Sequence, residues 1–138
     1  MRQERFTEQA QEALALSQEI VRQYHHSQWD VEHILLALLR QERGLVGDIL
    51  RELGVDVEAA RRQVEAALEK SPKVTYEVAQ IYATPRVAQL LTKAGEEANR
   101  LKDEFISTEH LLVAMIEEEK GEAASILRRL GIDQEKVY

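Results

Sequence analysis

The chain has 138 residues, of which 44% are hydrophobic and 31% charged, enough for one globular domain with an apolar core and a solvated surface. Its formal charge of −7, from 25 acidic and 18 basic side chains, would repel phosphate backbones and anionic lipids. The lack of cysteine excludes disulfides, thiolate metal sites and cysteine catalysis. No stretch approaches the roughly 20 apolar residues of a membrane span, and no signal peptide is evident. We expect a cytoplasmic domain that binds neither nucleic acid nor membrane.

The first half of the chain predicts helices. Thr7 is a typical N-cap residue, and the apolar or small residues after it recur at three- and four-residue spacing, on one helix face: Ala10, Ala13, Leu14, Ser17, Ile20, Val21 and Tyr24. A second helix begins after the cap residue Asp30 and is apolar on more than one side, which indicates a central position. We expect Gly44 to end this second helix.

Two further helices complete this first set. Residues 46–53 predict a short third helix that stops at Gly54, and a fourth helix starts from Asp56 and ends before Ser71. The stretch up to residue 83 shows no sustained period, so we interpret it as a linker. Thr84 and Pro85 mark a new helix start, because proline at the first helical position loses no hydrogen bond.

The second half of the chain repeats the first. Glu32-His33-Ile34-Leu35 recurs 77 positions later as Glu109-His110-Leu111-Leu112, and the shift holds without a gap over residues 7–56. A unit this long exceeds the usual solenoid repeat of about 20 to 50 residues. We therefore predict one all-α domain over residues 1–138, with about eight helices in two tandem four-helix repeats that pack with pseudo-twofold symmetry.

The predicted boundaries are about 6–70 for repeat one, 71–83 for the linker and 84–138 for repeat two. The fourth helix of repeat one maps onto 133–147, so we expect the sequence to stop inside its last helix and to be part of a longer protein. We expect the isolated domain to be a monomer, because the two repeats bury their apolar faces against each other.

The sequence lacks the common catalytic motifs. No glycine is followed by lysine, which excludes a Walker A loop and ATP hydrolysis through one. The four histidines form neither a zinc-protease pair nor a Glu-x-x-His di-iron motif, and no Gly-x-Ser-x-Gly elbow occurs. We therefore expect no enzymatic activity, no cofactor and no metal.

The repeated Glu-His pairs are the best candidates for a binding site. Each pair falls in the first turn of a central helix, so symmetry would present two equivalent carboxylates, Glu32 and Glu109. We expect both to be surface residues whose replacement leaves the fold nearly intact. The structural alternative is that the helix dipole alone favours an acidic residue there, while His33 and His110 cap or pack. We interpret Trp29 as a core or rim residue.

Three motifs make the chain resemble a known family. Arg5-Phe6-Thr7-Glu8-Gln9-Ala10, Thr84-Pro85-Arg86 and the two Glu-His-(Ile/Leu)-Leu motifs are similar to the Clp N-terminal repeat family, and the resemblance covers essentially the whole chain. The Glu-His pairs resemble the ClpC branch, whereas the linker resembles ClpB. The resemblance implies the non-catalytic N-terminal domain of an AAA+ unfoldase in stress response and proteolysis, which recruits adaptor proteins and unfolded or tagged clients to the ATPase domains of its own parent chain.

The resemblance also implies a binding site. Some ClpC-like members bind phosphorylated arginine, with the Glu-His glutamates, here Glu32 and Glu109, receiving the guanidinium. The candidate substrate- or adaptor-binding residues are these two glutamates with Thr7, Thr84, His33 and His110, of which the caps Thr7 and Thr84 are more typical of a structural role. Here Val87-Ala88-Gln89 follows Arg86, where ClpC-like chains often place lysines that could contact the phosphate. Two other hypotheses are a free-standing double-repeat accessory protein of a Clp protease and a small helical enzyme.

Overall fold

Four helices begin at a polar side chain that accepts hydrogen bonds from the free N–H groups of the first turn. The computed structural model describes residues 3–76, 80–118 and 120–137. Thr7 caps the first long helix and Thr84 caps its counterpart in repeat two, while Asp30 and Asp56 cap two others. These four caps are the predicted ones. Residues 77–79 of the predicted linker and Tyr138 of the predicted last helix lie outside the described residues.

The described residues form eight α-helices, which confirms the all-α prediction. A short 3-10 turn at Gln3–Arg5 precedes them, and the helices are α1 (Glu8–Gln23), α2 (Val31–Arg40), α3 (Leu45–Glu52), α4 (Val57–Lys70), α5 (Pro85–Arg100), α6 (Thr108–Glu117), α7 (Glu122–Arg129) and α8 (Gln134–Val137). None of the described helices combines the length and the apolar content that crossing a bilayer requires.

The two central helices carry the core. Every residue from Val31 to Leu39 of α2 is buried, and so are residues 110–115 of α6. Within its own repeat α2 packs on α1, α3 and α4, and α6 packs on α5, α7 and α8. Each central helix also contacts the third helix of the other repeat, α2 with α7 and α6 with α3. The repeats therefore share one core across a pseudo-twofold axis.

Two short backbone pairings cross between the repeats, and the sequence analysis did not anticipate them. Strand β1 (Gln28–Trp29) pairs in parallel with β2 (Tyr82–Ala83), and Phe6 forms a parallel bridge with Ile106. The 77-residue shift relates Phe6 to Ala83 and Trp29 to Ile106, so the two pairings are equivalent. In each, the segment before a repeat's first helix pairs with the loop before the other repeat's central helix.

The glycines after the central helices have a different role from the predicted one. Gly44 does not end α2, which stops at Arg40; it is instead the N-cap of α3, and Gly121 is the N-cap of α7. The prediction was wrong because three polar residues, 41–43, leave the helix first and form a turn. Gly121 has φ +117° and ψ 155°, a conformation essentially restricted to glycine.

We predict opposite effects for two Gly→Ala changes in the equivalent third helices. Gly121→Ala should lower the free energy of unfolding by about 2 to 3 kcal/mol, because the added Cβ would be strained and would lie 2.2 Å from Arg86 Nη2. Gly47→Ala in α3 should be neutral or stabilise by up to about 1 kcal/mol, since the atoms nearest to its Cβ belong to the guanidinium of Arg51, at the far end of a flexible side chain. Urea unfolding measures both, and equal destabilisation would contradict the assignment.

Candidate functional site

The carboxylate of Glu32 binds a guanidinium from the other repeat. Arg86, the second residue of α5, donates from Nη1 to Glu32 Oε1 at 3.0 Å and from Nη2 to Oε2 at 2.9 Å. Two parallel, charge-assisted hydrogen bonds of this kind are the strongest arrangement between an arginine and a carboxylate. Thr84 and Pro85 start α5 at this point and so place Arg86 against the first turn of α2.

Two more carboxylates surround the same arginine. Glu118 accepts from Arg86 Nε and Nη2, both at 2.7 Å, and Asp30 Oδ1 accepts from Nη1 at 3.1 Å. The Thr84 hydroxyl donates to Asp30 Oδ1 at 3.0 Å. We call Asp30, Glu32, Arg86 and Glu118 the Arg86 cluster. The hydrogen bonds to Glu118, followed by those to Glu32, outweigh burial and raise the pKa of Arg86.

Glu32 also binds the start of α7. Its Oε2 accepts from the Ala123 N–H at 3.0 Å, at the second residue of that helix, where a negative charge interacts favourably with the helix dipole. Burial alone would raise the pKa of the Glu32 carboxyl, but the bonds from Arg86 and the Ala123 N–H together hold it below its usual value of 4.5. Glu32 is only 9% exposed, so the expectation that it is a surface residue was wrong.

The equivalent glutamate of repeat two has a different environment. We call Gln9, Gln41, Ser107 and Glu109 the Glu109 cluster; the 77-residue shift maps these residues onto Arg86, Glu118, Asp30 and Glu32. Glu109 is partly exposed and, within residues 3–76, 80–118 and 120–137, no hydrogen bond or ion pair engages its carboxylate. Gln9 stands where Arg86 would be, and its Oε1 accepts from the Leu45 N–H at 3.2 Å. The Oε1 atom of Gln41 is buried without a hydrogen-bond partner.

The histidine of the first Glu-His pair belongs to a chain of hydrogen bonds inside repeat one. His33 Nδ1 accepts from the Asp30 N–H at 2.9 Å, so the neutral ring carries its proton on Nε2. That N–H donates to His26 Nδ1 at 2.8 Å, and His26 Nε2 donates to the Leu68 carbonyl at 3.1 Å. Burial, the largest cause in each case, lowers the pKa of His33 to about 4 and also lowers the pKa of His26.

The second histidine makes the equivalent cap with a different outer partner. His110 Nδ1 accepts from the Ser107 N–H at 2.9 Å, and Nε2 lies 2.8 Å from Asp103 Oδ2, to which it donates. Donor atoms of Asp103, Glu109 and His110 lie within 4.8 Å of one another. However, the ring's one lone pair is used by the backbone and its N–H points at Asp103, so this trio does not fit a metal ion.

Four of the six predicted site residues cap helix N-termini. Thr7, Thr84, His33 and His110 all satisfy helix N-termini, and a role for them in binding stays a prediction. Trp29 lies at the rim, where its indole N–H donates to Ser17 Oγ at 2.8 Å.

Arg86 and Glu118 were not among the predicted site residues. A signal existed, because the shift that maps neutral Gln9 onto Arg86 also maps neutral Gln41 onto Glu118. Two compensating changes of charge between otherwise similar repeats indicate an ion pair that only one repeat contains.

Comparison with known proteins identifies the family. Residues 5–130 match the family described as Clp repeat (R) N-terminal domain. The chain belongs to this family of Clp N-terminal domains. It is 39% identical over 134 residues to the chaperone protein ClpB of Bacillus cereus, which covers 95% of this chain and 15% of that relative. It is 35% identical over 132 residues to the negative regulator of genetic competence ClpC/MecB of Bacillus subtilis, covering 96% of this chain and 16% of the relative.

Solved structures of other Clp N-domains share this fold. The Hsp104 N-terminal domain of Candida albicans matches with a TM-score of 0.83 at 22% identity, over 96% of this chain and 85% of that one. A complex of the ClpV N-domain with a VipB peptide matches with a TM-score of 0.73 at 18% identity, over 92% of this chain and 79% of that one. This Clp N-domain spans about 15% of the length of ClpB.

We predict that the two Glu-His glutamates of this Clp N-domain differ in their contribution to stability. Glu32→Gln should lower the free energy of unfolding by about 1 to 3 kcal/mol, because it weakens a buried, charge-assisted contact that joins the repeats. The matched Glu109→Gln change should stay within about 0.5 kcal/mol of wild type. Chemical denaturation of both variants is the measurement, and equal losses would show that the asymmetry has no energetic consequence.

We also predict that stability decreases as the pH falls from 7 to 5. The native state keeps His33 neutral down to a pKa of about 4, whereas the unfolded chain takes up the proton near 6.5. The free energy of unfolding therefore falls through this window, by about 2 kcal/mol for His33 at pH 5. Burial lowers the pKa of His26 as well, which adds a loss of the same sign. The pKa of Glu32 is held below its usual value, so protonation of this carboxylate contributes a further loss only at lower pH.

His33→Gln tests the assignment. Glutamine at this position still accepts the Asp30 N–H in a capping box but does not titrate. The unfolding midpoint in urea, measured at pH 7, 6 and 5, should change less with pH in this variant than in wild type. An unchanged slope would place the proton uptake elsewhere.

Proposed function

We propose that this Clp N-domain recruits clients or adaptor proteins through glutamates that bind guanidinium groups. The contact between Glu32 and Arg86 carries the proposal, because a Glu-His glutamate here binds a guanidinium through two parallel hydrogen bonds. The equivalent Glu109 is partly exposed and has no cation paired with it among the residues described. An arginine from another protein would satisfy that carboxylate in the same way.

The proposed ligands are unfolded or tagged segments that carry arginine or phosphoarginine. The glutamates bind the cation, and Thr7, Thr84, His33 and His110 support the site by holding the helix starts in place. Free N–H groups at a helix start can bind the phosphate of a modified arginine. Because Val87-Ala88-Gln89 supplies no cation, the guanidinium provides most of the binding energy in this proposal.

The proposed setting is the cytoplasm, at the N-terminus of a Clp chaperone or unfoldase whose other domains hydrolyse ATP. The domain itself uses no cofactor and works as a monomer. A ClpV N-domain bound to a VipB peptide supports peptide binding as a use of this fold. The alternative is a free-standing accessory protein of a Clp protease. The natural reading frame beyond Tyr138 distinguishes the two.

We predict that Glu109→Gln weakens binding of a phosphoarginine peptide about tenfold or more, as expected from the loss of a charged hydrogen bond of about 1.5 to 3 kcal/mol. Isothermal titration of the purified chain measures the change. The conservative Glu109→Asp variant keeps the charge and should retain part of the affinity.

A second measurement separates recruitment from guanidinium binding. The chain, attached to beads, should retain a chemically unfolded model protein and release it to excess arginine peptide. Retention without competition by the peptide would support recruitment but place the binding surface elsewhere, on an apolar groove. Absence of retention would contradict the proposed function.

A further inference from the structure

We infer that Arg86 and Gln9 decide which of the two Glu-His glutamates is open to a ligand: Arg86 occupies Glu32 as an internal guanidinium, and Gln9 leaves Glu109 free. The inference rests on the proposed function and adds a specificity determinant to it. Two pseudo-equivalent positions would then give one binding site per chain rather than two. In the structure Glu32 already binds a guanidinium, whereas Glu109 binds none among the described residues.

The Arg86 cluster and the Glu109 cluster are similar in the side chains that lie against a glycine and differ in the presence of an arginine. A Cβ built on Gly121 would lie 3.1 Å from Glu118 Oε1, and a Cβ built on Gly44 would lie 3.2 Å from Gln41 Oε1, so these side chains cover equivalent glycines in the same way. The difference is the guanidinium. Arg86 Nη2 would be 2.2 Å from the first Cβ, while the nearest atoms to the second all belong to Gln41.

Gln9 does not substitute for the missing cation. Its side chain is turned to the turn before α3, where Oε1 accepts from the Leu45 N–H and Nε2 lies 3.5 Å from the Arg43 carbonyl oxygen. Glu109 and the buried Oε1 of Gln41 therefore remain as two acceptors without a donor in the described part of the chain. They correspond to the two acceptors, Glu32 and Glu118, that hold Arg86 in the other cluster.

An arginine in the same chain competes strongly with one from outside. An intramolecular group acts at an effective concentration of about millimolar or above, so it lowers the apparent affinity of Glu32 for any free ligand. Arg86 is nevertheless not sealed in: its side chain is 29% exposed and borders a cavity of about 470 Å³ that Leu90 and Ala114 also line. A ligand can therefore reach Glu32 and displace Arg86 without a steric barrier. The free-energy cost of the displacement comes from breaking the ion pairs of Arg86.

Exchanging the two residues tests the inference. The probes are a short capped peptide with a single arginine, the same peptide phosphorylated on that arginine, and a citrulline version as the neutral control. Titration of the ¹⁵N-labelled chain, followed by NMR, reports both affinity and location. Wild type should show shifts around Ser107, Glu109 and Leu45, with one peptide bound per chain. The Arg86→Gln variant should show a second set of chemical-shift changes, around Val31 and Ala123. The double variant Arg86→Gln with Glu32→Gln should lose this second set.

The reciprocal change does not depend on the folding of the Arg86 variant. Gln9→Arg supplies the missing guanidinium, so it should reduce binding at Glu109 about tenfold or more, while a Gln9→Lys variant, which cannot form two parallel bonds, should reduce it less. Wild-type affinity in Gln9→Arg, equal shifts at both glutamates in wild type, or no new shifts in folded Arg86→Gln would each overturn the inference. A wild-type chain that ignores all three peptides would also overturn it, and retention of the unfolded protein on beads would then decide separately whether recruitment stands.

Discussion

Neither repeat can bury its own central helix. Residues 31–39 of α2 are buried all round. Three neighbouring helices of the same repeat leave one side uncovered, and α5, α6 and α7 of the other repeat contact α2 there. The same relation holds for α6 and α3. Apolar burial at about 25 cal/mol per Å² is the main favourable term in folding, so the two copies form one cooperative core. A polar group buried near the seam therefore costs free energy unless a partner satisfies it.

The Glu-His motifs lie at this seam, and that position explains their chemistry. A glutamate in the first turn of α2 meets the start of α7 and the start of α5, two places where a negative charge is stabilised. The surrounding burial strengthens a paired charge and makes an unpaired one costly. In our proposal the geometry that joins the repeats at Glu32 binds a ligand at Glu109, because Gln9 stands in place of Arg86 there and the described residues pair no cation with Glu109.

Much of the fold could be predicted because helices are encoded locally. The caps at Thr7, Asp30 and Thr84, the apolar stripe of α1 and the all-round apolar pattern of α2 depend on residues a few positions apart. The strand pairings could not be predicted in this way. Phe6 and Trp29 stand in short extended segments, and their partners follow only from how the copies dock. The burial of Glu32 depends likewise on Arg86, which is distant in sequence. The paired charge differences between positions 9 and 86 and between positions 41 and 118 did indicate an ion pair in one repeat only.

The bridge between Phe6 and Ile106 has a consequence for synthesis on the ribosome. The segment that leads into α1 gains its backbone partner only after about 100 further residues have been made, and such non-local closure slows folding. The first repeat therefore leaves the ribosome with its entry segment unpaired and α2 partly uncovered. Apolar surface that stays exposed in this way during synthesis is prone to aggregation. The core of a domain built by duplication in this manner is complete only after its second copy has been made.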